Sequence, residues 1–126
     1  MPGNTLLSHA YERLYQTSKE TSDSNGNVTL DLGCVPVGLT WTGSLFCVSI
    51  QPANILAATW LALVANVPFG IWYGAGSLWG LQAFPGEEVT VQGYSVAPNV
   101  QVQVSMIGRA DDSGSAPIIW PKSYSG

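Results

Sequence analysis

Two adjacent glutamates, Glu87 and Glu88, are the residues of this chain that first suggest catalysis. Two carboxyl groups can act as general acid and nucleophile on a sugar, or share one proton in a protease, when they face each other across a substrate. Consecutive residues of an extended strand point to opposite sides of the sheet instead. Pro85-Gly86 comes directly before them and fits the centre of a type II turn, with Gly86 supplying the positive φ. We therefore predict that the two glutamates open a strand and are not a catalytic pair.

The other residue types that carry enzyme chemistry are scarce. His9 is the only histidine, and no aspartate lies near it in sequence to orient it. The sequence contains no G-x-S-x-G elbow, no P-loop and no H-E-x-x-H motif. The glycines at 70, 74, 76 and 80 fall among aromatic residues with no helix after them, which favours tight turns over a phosphate-binding loop. The chain is predicted to be no enzyme and to hold no cofactor.

Cys34 and Cys47 are the only cysteines. Two thiols do not make a zinc site without histidine or carboxylate partners at suitable spacing, and these two lack the C-x-x-C spacing of a redox site. We interpret them as small buried or half-buried residues and predict no metal. A disulfide between them stays open as an alternative if the protein meets an oxidising medium.

Tryptophan is unusually frequent for so short a chain, with five residues at 41, 60, 72, 79 and 120. Buried tryptophans supply a large apolar area with one donor to satisfy, which favours core and interface packing. Exposed ones can stack on sugar rings, so a carbohydrate-binding module is the alternative.

Composition narrows the class of protein. The 126 residues suffice for one domain, and only 10% of them are charged, against about 25% in an ordinary soluble domain. The four Lys and Arg residues and a net charge of −4 argue against nucleic-acid binding. No apolar stretch has the length of a membrane span, and the first residues lack the basic start and apolar run of a signal peptide. We expect a protein made in a cytoplasm, with neither nucleic acid nor membrane as partner.

The amino-terminal residues 1–24 have a different periodicity from the rest. Leu7, Tyr11 and Leu14 recur at helical spacing, which predicts a short amphipathic helix. A polar stretch with a turn signal at Asn25-Gly26 then separates this arm from the remaining chain.

Downstream of the arm the hydrophobic period becomes two, as in strands. Residues 28–32 and 100–106 alternate cleanly, and short strands are predicted around 71–73 and 78–83. The run 55–67 suits a helix or a buried strand, and its flanking prolines favour a strand. In 39–50 the apolar residues change parity after Trp41, so a bulge near Gly43-Ser44 is predicted.

Strands at this spacing predict an all-β protein, an antiparallel β-sandwich of jelly-roll or Ig-like type. Its organisation would be a helical arm at 1–24, the sandwich at 25–112 and an extended tail at 113–126. A low content of charged residues is typical of the buried centre of a protein interface. The apolar residues near both termini add apolar surface that a partner protein could cover. The predicted interface residues are Leu7, Tyr11, Leu14, Ile118, Ile119 and Trp120.

The stretch TSDSNGNVTLDLGCVPVGLTWTGSLFCVSI resembles a pattern in small β-sandwich structural proteins of tailed bacteriophages, and PGEEVTVQGYSVAPNVQVQVSMIGRADD resembles their closing strands. The resemblance covers about residues 21–112 and carries no catalytic residue. It implies a virion component, assembled in the bacterial host cytoplasm and often trimeric or of higher copy number. The expected role is a capsid decoration or head protein bound to the major capsid protein or other virion subunits. The alternatives are a minor tail or fibre protein, or a displayed receptor- or carbohydrate-binding module.

Overall fold

Two antiparallel sheets of four strands each form the protein in a computed structural model, which describes residues 11–49 and 57–112. Sheet A has the strand order β1-β8-β3-β6, and sheet B has the order β2-β7-β4-β5. The strands are β1 Tyr11–Thr21, β2 Val28–Cys34, β3 Leu39–Ser49, β4 Thr59–Val64, β5 Val67–Tyr73, β6 Ser77–Ala83, β7 Glu88–Tyr94 and β8 Gln101–Asp112. The all-β class and the antiparallel sandwich are confirmed.

The core lies between the sheets and is built from alternate residues of each strand. On β8, Val102, Val104 and Met106 are fully buried, as their spacing predicts. On β2, Leu30 and Leu32 face the same core. Trp60 of β4 fills the centre, where its ring stacks on that of Trp72 at 6.3 Å between centroids and its Nε1 donates to the Gly74 carbonyl oxygen at 3.2 Å.

The predicted helix is wrong over residues 11–21, because this segment is strand β1 at the edge of sheet A. Its eleven residues pair with β8 from Tyr11 opposite Asp111 to Thr21 opposite Gln101. Leu14 faces the core, but the next inward positions are Gln16 and Ser18, so the period-two signal is weak. Pairing with a distant strand outweighs a short helical pattern. The sandwich therefore includes residues assigned to the arm, while residues 1–10 lie outside the described part of the chain.

The predicted bulge exists, but on the neighbouring strand. β3 pairs with β8 without interruption, and Trp41, Leu45 and Cys47 all face the core. Against β6, Gly43 lies opposite Leu81 and Leu45 opposite Leu78, so the extra residue belongs to β6. Gly80, with a φ of +77°, lies within this irregularity. Because β3 itself is regular, Phe46 lies on its outer side, whereas a bulge at Gly43-Ser44 would have turned it towards the core.

The ambiguous apolar run contains strand β4 and continues through a tight hairpin into β5. Ala65 and Asn66 form the turn with φ values of 53° and 63°, which is the backbone of a two-residue type I′ hairpin. The strand prediction is confirmed over 59–64. The predicted segments at 71–73 and 78–83 are likewise parts of β5 and β6, joined by a turn at 74–76.

Candidate functional surfaces

The two adjacent glutamates do not face each other. Glu87 ends a tight turn in which its amide donates to the Phe84 carbonyl oxygen at 3.0 Å and Gly86 has a φ of +84°. Its carboxylate accepts a hydrogen bond from the Phe84 amide at 2.7 Å, so it closes the turn. Glu88 is the first residue of β7. The predicted turn and strand entry are confirmed.

A different carboxyl pair, missed by the sequence analysis, lies on the outside of sheet B. Glu88 and Asp31 are neighbours there, and a hydrogen bond from the protonated Glu88 carboxyl group to Asp31, together with the negative charge of Asp31, raises the pKa of Glu88. Asp31 also accepts the Gly33 amide at 2.9 Å. The pair forms because β2 and β7 are neighbours, and only the strand order reveals this. No third His, Cys, Asp or Glu completes a metal-binding group within the described residues.

The two cysteines have different environments and both are free thiols. Cys34 is exposed at the end of β2 in sheet B, and Cys47 is buried on the inner side of β3 in sheet A. Burial raises the pKa of the Cys47 thiol to about 12. Cys47 matches the predicted buried cysteine, whereas the exposed Cys34 does not.

The outer side of sheet A, called face A, carries a band of apolar side chains across its strands. Tyr15 lies opposite Ile107, which in turn lies opposite Ser44. Beside them is a cleft of about 460 Å³ next to Trp79, whose side chain is 76% exposed. The residues lining this Trp79 cleft are Ser44, Phe46, Ala75, Gly76, Ser77, Trp79 and Ile107.

The outer side of sheet B, called face B, is polar on one half and apolar on the other. The β2–β7 half presents Thr29 opposite Gln92 together with the Asp31–Glu88 pair. The β4–β5 half presents Leu61 opposite Ile71, with the exposed Tyr73 beyond them. Ile71 is 51% and Tyr73 67% exposed, which is unusual for large apolar side chains on adjacent positions of one strand face.

The edges of both sheets are blunted against further strand pairing. Three edge strands carry an irregularity, at Leu32 in β2, at Phe69 in β5 and near Gly80 in β6. The fourth, β1, presents exposed charged residues that include Arg13 and Lys19. Bulges and charges on edge strands prevent edge-to-edge association. Contacts with other proteins are therefore favoured on the faces.

The predicted interface residues are only partly located. Leu14 is buried in the chain's own core, at 6% exposure, and so does not belong to an exposed stripe. Tyr11 is the first residue of β1. Leu7, Ile118, Ile119 and Trp120 lie outside the described residues. Of the tryptophans, Trp41, Trp60 and Trp72 are buried and Trp79 is exposed, whereas sequence alone did not distinguish them.

Among residues 11–49 and 57–112 there is no helix with the length and hydropathy of a membrane span.

No protein-family model and no curated protein matches the chain. Solved structures are similar to it in fold. One belongs to the acid-stable capsid structure of Helicobacter pylori bacteriophage KHP30, with 9% identity, 82% of this chain and 94% of the other covered, and a TM-score of 0.49. Another comes from the disulfide-linked pili of Bacillus endospore appendages, with 11% identity, 81% and 88% coverage and a TM-score of 0.44.

A third similar structure is the CBM36-1 domain of a multidomain xylanase from the hindgut metagenome of Trinervitermes trinervoides. It is 10% identical, with 79% of this chain and 95% of the domain covered and a TM-score of 0.42. At these identities and TM-scores none of the three structures assigns a role to this chain.

Proposed function

We propose that this chain is a non-enzymatic virion structural protein, a capsid decoration or head protein that stabilises the shell by burying its outer faces against other subunits. The observation that carries the proposal is the pair of apolar surfaces on the outside of the sandwich. Trp79 on face A and Ile71 and Tyr73 on face B are exposed, although the described residues already form a hydrophobic core between the two sheets. Such patches are typical of protein interaction sites.

The blunted edges support face contacts over strand addition. A protein that assembled by strand addition would keep a regular, unbulged edge with free backbone groups. Here Pro68 lacks the amide that such pairing needs, and the neighbouring Phe69 interrupts the ladder of β5. Shell stabilisation would then arise from apolar area removed from water on the faces, about 25 cal/mol per Å².

The virion setting rests on the resemblance of residues 21–112 to phage β-sandwich proteins. The partners proposed on this basis are the major capsid protein or other virion subunits. The protein itself is proposed to be a homo-oligomer, a trimer. Assembly would take place in the bacterial host cytoplasm. The terminal segments 1–10 and 113–126 would add anchoring contacts.

The proposal is tested by incorporation into particles. The full chain is expressed during phage assembly, and its amount per particle is measured for the wild type and for the face B variant I71S/Y73S. We expect the variant to fold but to be depleted from particles by about tenfold. The control is Thr29→Ser, on the polar half of the same face, which should be incorporated normally. Normal incorporation of I71S/Y73S would contradict the role of face B.

The terminal anchors need separate deletions. Removing 1–24 would delete β1, so the informative deletions are 1–10 and 113–126. Reduced incorporation of either deletion supports anchoring by that segment, and unchanged incorporation of both contradicts it. Electron microscopy of the particles would then distinguish a head from a tail position.

A second candidate function is a displayed carbohydrate-binding module, favoured by the Trp79 cleft. An exposed indole ring beside the hydroxyl groups of Ser44 and Ser77 offers an apolar platform with a few polar groups, as ligand sites do. Fluorescence titration with host polysaccharide tests it, with Trp79→Ala as the variant. A saturable change in the wild type that is lost in Trp79→Ala supports glycan binding, and no change in the wild type contradicts it.

A further inference from the structure

The charged side chains of each outer face are confined to one half of that face, and the two charged halves correspond. β1 contacts β2 and β5 contacts β6, so these contacts close the two sides of the sandwich. With the strand orders of the two sheets, the β1–β8 half of face A therefore lies behind the β2–β7 half of face B. In the same way, the β3–β6 half of face A lies behind the β4–β5 half of face B.

The charged halves have opposite signs. At outward positions of face A stand Arg13, Lys19 and Arg109 with one acid, Asp111, which is ion-paired with Arg109 at 3.2 Å; the net charge is three minus one, or +2. At outward positions of face B stand the acids Asp31 and Glu88 and no cation, a net charge of −2. In a chain with only 10% charged residues, this separation gives each face a distinct sign.

The opposite charges also lie at the same end of the sandwich. Arg109 and Gln82 both pair with Thr42, so they share one row across sheet A. Gln82 lies two residues before Phe84, where the turn to sheet B begins, and Glu88 directly follows that turn. The Arg13–Arg109 pair and the Asp31–Glu88 pair are therefore at matching heights on opposite sides of the molecule.

The other halves are apolar on both faces. Face A has Phe46 and the exposed Trp79 on its β3–β6 half. Face B has Leu61 and Ile71 on its β4–β5 half. A second copy laid on the first in the same orientation would place cations over acids and aromatic over aliphatic side chains.

We propose that copies of this chain stack front to back, with face A of one copy against face B of the next. This rests on the proposed function, and it names a partner for both faces, a second copy of the chain. The contact is heterologous, so its repetition gives a closed ring or an open filament. Symmetric contacts are disfavoured, because face A on face A brings cations together and face B on face B brings acids together. Glu88, which already faces the negative charge of Asp31, gains a compensating cation only in the front-to-back contact.

The test uses two charge-reversed variants of the full chain, R13E/R109E and D31K/E88K. Sedimentation velocity over a concentration series measures association of each variant alone, of their equimolar mixture and of the wild type. We expect the wild type to associate, and each variant alone to need at least about tenfold higher concentration, because its two faces now have the same sign. The mixture should associate again, since each variant supplies the face that the other lacks.

The matched control is Glu20→Lys, an exposed charge reversal at the end of β1. It should associate like the wild type. Thermal unfolding followed by circular dichroism confirms that each variant is folded, and if a reversed pair fails to fold, D31N/E88Q replaces it and should weaken association alone. A wild type that stays monomeric throughout, a variant that associates like the wild type, or a mixture that stays dissociated would each overturn the proposal.

The test of stacking and the test of the virion role can fail independently of each other. Failure of stacking with normal incorporation into particles would refute the front-to-back contact alone. Stacking in solution by a protein that is absent from particles would refute the virion role and leave the contact intact.

Discussion

The carboxyl groups of Glu88 and Asp31 are neighbours on the adjacent strands β7 and β2, where the protonated Glu88 donates a hydrogen bond to Asp31. This bond and the charge of Asp31 raise the pKa of Glu88 above its ordinary value of 4.5. The folded protein therefore binds this proton more tightly than the unfolded chain does. The stabilisation is complete below the unfolded pKa and is lost as the pH rises through the raised folded pKa.

Glu88→Gln should remove the decrease in folding stability that the titration of Glu88 causes as the pH rises. Gln has no charge to repel Asp31, so the variant should be more stable than the wild type at neutral pH and lose that advantage in acid. Melting temperatures measured from acid to neutral pH provide the check, with Glu20→Gln as the control for removing an exposed carboxylate elsewhere. Identical profiles for Glu88→Gln and the wild type would show that the pair is not formed.

The cysteines should differ sharply in reactivity. With a pKa of about 12, Cys47 has only about 10⁻⁴ of its thiol ionised near pH 8, and it is also shielded from reagents. Iodoacetamide followed by mass spectrometry should therefore modify Cys34 in the native protein and Cys47 only after unfolding. Cys34→Ser should abolish native labelling, and Cys47→Ser should leave it unchanged. Recovery of a Cys34–Cys47 disulfide from native protein would contradict the arrangement.

Replacing Trp60 and replacing Trp79 should have very different effects on the stability of the fold. Trp60 is fully buried and hydrogen-bonded to Gly74, so Trp60→Ala should lower the free energy of unfolding by about 3–5 kcal/mol. Trp79 is largely exposed, so Trp79→Ala should change it by no more than about 0.5 kcal/mol. Urea unfolding of the two variants measures the difference. An equal loss of unfolding free energy in the two variants would mean that Trp79 is not on the surface.

Adjacent residues of β1 provide a test of the strand at 11–21. Leu14→Ala should lower the free energy of unfolding by about 2–3 kcal/mol, because Leu14 is buried in the core. Tyr15→Ala, on the outer face, should change it by no more than about 0.5 kcal/mol. Hydrogen exchange should also show protected amides in this segment, since it pairs with β8. Rapid exchange throughout 11–21 would contradict the strand.

Sequence alone determined the class of fold and several local features. Alternation of Val102, Val104 and Met106 predicted a half-buried strand, because side chains of a strand alternate with a period of two. Pro85-Gly86 predicted the turn before β7, because only glycine readily adopts the positive φ that the turn requires. These features depend on residues close together in the chain.

Tertiary structure decided the other features, because these depend on which distant strands pair with each other. β1 is a strand only through its partner β8, and its inward Gln16 and Ser18 gave no period-two signal. The bulge lies in β6 because the register against β3, and not the parity of β3 itself, determines it. Strand order likewise brought Asp31 to Glu88 and placed Trp79 beside Phe46, so both outer faces and their charges emerged only from the folded arrangement.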